Sequence, residues 1–188
     1  ITIVDDASMP NGVGVPLPFD TEGQPKKRVM LVEHGVARGI VYDTQSALRG
    51  GCSSTGHAYH SDDSPSHGSQ AAHLILCPGT STPDELIRKV NRGLLITRLH
   101  YVNGMLEPRR AVMTGLLRDG AFLIEGGKVG KAVETLRFTD SILEAFSRIP
   151  GIDCLSSTLE AHNSWFGPDQ CFVAPWMLVP QLRFTSGR

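Results

Sequence analysis

The sequence is short of nearly every feature that would announce a function. It has no charge excess: 18 basic and 19 acidic residues, interspersed, leave a formal net charge of −1. No long-range field therefore draws in nucleic acid or an anionic membrane, and neither is expected as a partner. No apolar run approaches the roughly 20 residues of a membrane span, and no basic, apolar and small-residue signal pattern follows Ile1. A cytoplasmic chain is expected. There is no starting Met, so the chain reads as a piece of a longer protein. Cys52, Cys77, Cys154 and Cys171 have no CxxC spacing, which fits reduced, mostly buried thiols better than a disulfide framework. An HExxH helix, a GxSxG elbow and a Walker loop are all missing. The glycines of "GVGVP" from Gly12 and "RGG" from Arg49 lack the strand-to-helix context of a phosphate cradle and read as turns.

What is present is framework. A chain of 188 residues is long enough for one core, or for two small subdomains sharing one, with roughly 70% of the unfolded surface buried. In "CPGTSTPDELIRKVNRGLLITRLHY", Thr82, Pro83 and Glu85 supply an N-cap, a first-turn proline and a capping-box acid. Leu86, Ile87 and Val90 form the apolar stripe of a helix whose end carries Arg88, Lys89 and Arg92, and Gly93 is expected to stop it. Leu94, Leu95 and Ile96 then open a strand.

Two further segments, "MLVEHGVARGIVYD" and "FLIEGGKVGKAVET", each set an apolar strand, a Glu, a turn and a second strand in the same order. They predict β-hairpins turning at His34-Gly35 and Gly126-Gly127; common hairpin chemistry accounts for the likeness better than a duplication. Short helices are expected over Thr44 to Arg49 and Ser141 to Arg148, and closing strands around Cys171 to Ala174 and Leu178 to Phe184. The fold class is α+β: a β-rich domain of mixed or antiparallel sheets and hairpins with two or three short helices.

The residues that could carry chemistry are few. His57 and His60 stand three apart, with Asp62, Asp63, His67 and His73 behind them, a set that a borderline metal ion would take. Metal ligands are held on rigid elements, whereas 53–73 has the composition of a mobile surface loop, so these histidines are expected in solvent. Ser53, Ser54, Ser81 and Ser156 do not differ from ordinary loop serines. No catalytic residue and no metal ligand is assigned to this chain.

An ordered series of motifs is more specific. "DDASMPNGVGVPLPFDTEGQPKKRVMLVEHGVARGIVYD", "STGHA", "PGTSTPDELIRKVNRGLLITR", "GLLRDGAFLIEGGKV" and "LRFTDSILEAF" follow one another as in the C-terminal half of the TldD/PmbA family, which the chain resembles over nearly its whole length, 1–188. Older labels make that family a modulator of DNA gyrase. The resemblance implies a β-rich C-terminal domain supporting a zinc-dependent, ATP-independent peptidase of peptides and unfolded segments, often a dimer of two related subunits.

The family's zinc-bearing subunit carries an upstream HExxxH helix and a Cys in a "CGKxGQ"-like stretch. Here that stretch is "SWFGPDQ", with Trp165 at the expected Cys and Gln170 at the last position. His162 and Cys171 flank it, and a surface His and a packed Cys are the expected readings. The resemblance is thus to the PmbA or TldE type, or to a divergent relative, more than to the zinc-bearing subunit: no cofactor in this chain, zinc in the full-length protein or its partner subunit, and a homodimer or heterodimer. A non-catalytic peptide-binding or regulatory domain is the alternative, including the gyrase role, against which the balanced charge argues. Thr97-Arg98 matches the family's threonine-arginine pair, and Arg98, His100 and Tyr101 are the expected substrate-binding residues. The plainer reading makes Arg98 an ion-pair partner and Tyr101 a core-rim aromatic.

Overall fold

The computed structural model describes residues 1–9, 16–61, 64–163 and 171–186. The first elements are β1 (Ile3–Asp5), β2 (Val29–Glu33), β3 (Val36–Ala37), α1 (Thr44–Gly50), β4 (Ala58–Ser61), β5 (Ser64–Ser69) and β6 (His73–Leu76). There follow α2 (Pro83–Arg88), β7 (Arg92–Glu107), β8 (Val112–Glu125), β9 (Lys128–Ala132) and β10 (Leu136–Ser141). The chain closes with α3 (Ile142–Ser147), β11 (Leu155–Asn163), β12 (Cys171–Met177) and β13 (Phe184–Ser186). The α+β, β-rich class is what the structure shows. The contacts divide the chain into two units, Ile1–Pro78 with Leu159–Pro175, and Gly79–Thr158 with Trp176–Arg188.

The first unit is built on a mixed sheet in the order β11-β12-β6-β1-β2-β3. β1 is antiparallel to β2 and β6, and β12 runs parallel to β6 with Cys171 opposite His73. Val4, Met9, Ile75, Cys171 and Val173 form its core, with Met30 and Leu159 against them. Cys171 is a packing residue, as expected. The β2–β3 hairpin turns at His34 (φ 49°) and Gly35 (φ 83°), the two left-handed positions of a tight hairpin turn.

The segment expected as a loop over 53–73 carries β4 and β5 as an antiparallel pair, and its ends are tied down. The Ala58 amide donates to Asp20 Oδ2 (2.8 Å), and the Gln70 amide to the His57 carbonyl (2.9 Å). Gly56 makes this possible: at φ +72° a Cβ there would stand 2.2 Å from the Pro25 carbonyl oxygen, closer than any side chain tolerates.

The second unit holds a sheet in the order β13-β10-β8-β7, with β9 also on β8. β8 pairs with β10 along its first half, with β9 along its second, and with β7 throughout. Leu117, Ala121, Ile124 and Phe138 are buried against it. The predicted capping box of α2 is present in both halves, Thr82 accepting from the Glu85 amide and Glu85 from the Thr82 amide.

The helix ends earlier than expected. Lys89 is its C-cap, and Gly93 lies inside β7, because the Val90 and Asn91 carbonyls are taken by the amides of Gly127 (2.9 Å) and Gly126 (2.7 Å). The predicted Gly126-Gly127 turn, at φ 55° and 73°, thus also holds the segment that leads from α2 into β7. Lys89 spends its charge on Asp153, 2.9 Å away. The last strand begins only at Phe184, since Leu178 to Arg183 lie outside any strand.

Candidate functional site

Two places concentrate chemistry-bearing side chains. In the first unit, β1 ends in Asp5, whose side chain is fully buried with those of His57 and His73. Asp5 Oδ1 lies 2.9 Å from His57 Nε2, and Oδ2 accepts the His73 amide at 3.0 Å. His57 Nδ1 faces the Thr55 carbonyl at 2.8 Å. Burial raises the Asp5 carboxyl, but the His57 hydrogen bond, the His73 amide and the charges of His57 and Lys26 outweigh it and hold the group below its ordinary range. Burial likewise lowers Lys26, against the attraction of Asp5 and Asp20.

The expectation that His57 and His73 stand in solvent is therefore corrected: both side chains are buried, and the carboxylate at the end of an apolar strand draws the His57 ring inward, because a buried charge must be paired. The side chains of His60, His67 and His162, and residues Asp62, Asp63, Trp165 and Gln170, lie outside the described residues.

Zinc, which the family resemblance implies, does not fit this cluster. Both ring nitrogens of His57 are turned toward acceptor oxygens, so neither directs a lone pair at a metal. Among the described residues no group of three His, Cys, Asp or Glu side chains is placed to hold a metal ion.

The second place is on β7 and brings together all three expected binding residues. Arg98 stands opposite Arg118 and His100 opposite Leu116, but the register slips on either side. Between Ile96 and Arg98 the extra residue is on β8, where Asp119 (φ 62°) and Gly120 (φ 132°) bulge. Between His100 and Asn103 it is on β7, where Tyr101 takes φ 54°. Bulges re-aim side chains and interrupt pairing, and a bulky aromatic in the left-handed region stores about 1–3 kcal/mol of strain.

The consequence is local. Tyr101 is 81% exposed, not a core-rim aromatic, and the His100 and Tyr101 rings meet edge to face at 5.5 Å. Arg98 Nη1 pairs with Asp119 Oδ2 at 3.2 Å, both half exposed, which makes the ion-pair expectation correct but places the pair in solvent. An Arg118 guanidinium N–H donates to His100 Nε2 at 2.7 Å. Arg118 and Asp119 went unnoticed in the sequence; the signal was Asp119-Gly120 inside a strand pattern, which marks a bulge.

β7 is the last strand of its sheet, and among the described residues it pairs only with β8. No described strand pairs with its other side, which is the edge position where main-chain donors and acceptors can take an added strand, beside exposed Leu99, Tyr101, Val102 and Leu106.

Comparison with known proteins places the chain and its fold. Residues 1–186 match the family described as the PmbA/TldA metallopeptidase C-terminal domain. A metalloprotease TldD homolog of Buchnera aphidicola is 26% identical over 148 residues, 79% of this chain and 30% of that protein. The crystal structure of TldE from Thermococcus kodakarensis superposes with a TM-score of 0.81 at 21% identity, over 98% of this chain and 39% of that one. A Thermotoga maritima protein named as a candidate modulator of a DNA gyrase gives a TM-score of 0.76 at 22% identity, over the same shares. This chain thus spans well under half the length of these relatives.

Proposed function

Because this chain belongs to the PmbA/TldA metallopeptidase family as its C-terminal domain, we propose that it supplies the substrate-holding edge of a peptidase acting on peptides and unfolded segments. The observation that carries this reading is the free edge of β7, with Arg98, His100 and Tyr101 gathered at its bulge. An extended peptide adds to such an edge through main-chain hydrogen bonds, which give affinity with little dependence on sequence. Arg98 offers a planar fork to a carbonyl or carboxylate of the peptide, and Tyr101 a flat apolar surface.

The hydrolytic metal, zinc in this reading, lies upstream in the full-length protein or on a related partner subunit, with which the protein forms a dimer. No reaction step is assigned to this chain's own residues; their part is to bind and orient.

The test uses the full-length protein together with its partner subunit. Arg98→Ala is expected to lower kcat/KM for peptide cleavage about tenfold, roughly 1.4 kcal/mol, while moving the melting temperature little, since exposed ion pairs contribute at most about 1 kcal/mol. A large loss of stability with unchanged activity per folded molecule would show Arg98 to be structural. Chelation should abolish cleavage and leave peptide capture intact, and sedimentation should report the dimer.

A further inference from the structure

The bulged edge carries a charge arrangement that sheet pairing by itself disfavours. Arg98 and Arg118 stand directly opposite each other, where like charges repel at close range. Opposed residues share a face and alternate residues keep it, so His100 and Leu116 lie on that face too. Through the next register Arg137, opposite Leu116 on β10, joins them. Asp119 serves two of these cations, at 3.2 Å from Arg98 and 3.5 Å from Arg118. Arg137 donates to Thr114 Oγ1 at 3.3 Å and has no ion-pair partner among the described residues. One carboxylate therefore pairs with two of the three guanidinium groups on this exposed face, and the third has only a hydroxyl.

A strand added to the free edge of β7 would set a residue opposite Arg98, its side chain on this same face and about 5 Å away. We propose that the occupant is an acidic segment of an extended peptide, with Asp or Glu opposite Arg98 completing the charge row that Arg118 and Arg137 begin. The proposal rests on the reading of β7 as a peptide edge and adds the substrate class. Arginine suits the task, because its fork meets a carboxylate with two parallel hydrogen bonds. Nucleic acid suits it less: the chain's net charge is −1, and a phosphodiester strand cannot satisfy the alternating main-chain donors and acceptors of a sheet edge.

The test measures binding of three fluorescent peptides, of equal length and alternating pattern, to the full-length protein with its partner subunit. They carry Glu, Gln or Lys at the positions that share a face. The Glu peptide is expected to bind about fivefold tighter than the Gln peptide and the Lys peptide weakest, the sum of two or three exposed charge pairs. The Glu preference should shrink as salt rises from about 0.05 M to about 0.5 M. Arg118→Gln and Arg137→Gln should each reduce the ratio of Glu to Gln affinities without a change in melting temperature. Equal affinity for the Glu and Gln peptides would overturn the acidic preference and leave the peptide edge standing. Binding of none of the three would overturn both. Tighter binding of a single-stranded oligonucleotide than of the Glu peptide would overturn the proposal in favour of nucleic acid.

Discussion

His57 and His100 are the same side chain in opposite circumstances. His57 is fully buried, and both its ring nitrogens are committed, one to the Asp5 carboxylate and one to the Thr55 carbonyl. It ties β1 to the segment that opens β4, and nothing is left over for a ligand. His100 sits on an edge strand, held from one side by Arg118, with a strained, exposed Tyr101 as its neighbour. Its strand has a side that no described strand pairs, and its face carries a surplus of positive charge. A polar cluster closed on all sides stabilises a fold; one left open at an edge, with strain and unbalanced charge, is available for binding.

The largest expected effect comes from breaking the closed cluster. Asp5→Ala leaves His57 Nε2 buried without its carboxylate, and removal of one partner from a buried pair costs about 3–5 kcal/mol. Urea unfolding of the full-length protein should show that loss, and a cost under about 1 kcal/mol would mean that the cluster is not what holds the first unit.

Acid probes the same group more gently. Because Asp5 titrates below its ordinary 3.8 in the folded chain, its contribution is fully present above that value and is lost as pH falls through the folded value beneath it. Wild-type stability should therefore fall in that acid range, and Asp5→Ala should flatten that part of the profile. Identical profiles would separate the acid sensitivity from Asp5.

The open cluster should answer in the other sense. Tyr101→Asn exchanges a bulky residue at φ 54° for one that tolerates the left-handed region, and should leave stability unchanged or raise it by about 0.5–1 kcal/mol. Peptide affinity should meanwhile fall severalfold. If stability fell by more than about 1 kcal/mol, Tyr101 would belong with the closed cluster and the contrast between the two regions would be lost.

Much of the framework was legible along the chain because it is written in neighbouring residues. The capping box of α2 needs only Thr82 and Glu85, and the turns at His34-Gly35 and Gly126-Gly127 need only two adjacent positions that accept positive φ. Arg98, His100 and Tyr101 could be named together because they share one strand. The end of α2 is not legible for the opposite reason: the amides that take the Val90 and Asn91 carbonyls, just past the helix, come from a turn more than thirty residues later. Asp5 and His57 are 52 positions apart, and no periodicity in either segment announces that they meet.

By itself, then, the sequence determined the β-rich class, the helix starts and hairpin turns, the family, and the strand on which the candidate residues lie, all of them properties of local conformation or of ordered motifs. Only the tertiary structure decided which histidine is closed and which is open, that Arg98 faces Arg118 across a bulge, and that β7 is the last strand of its sheet. Those depend on register and on partners distant in the chain, where a slip of one residue sends every side chain to the other face.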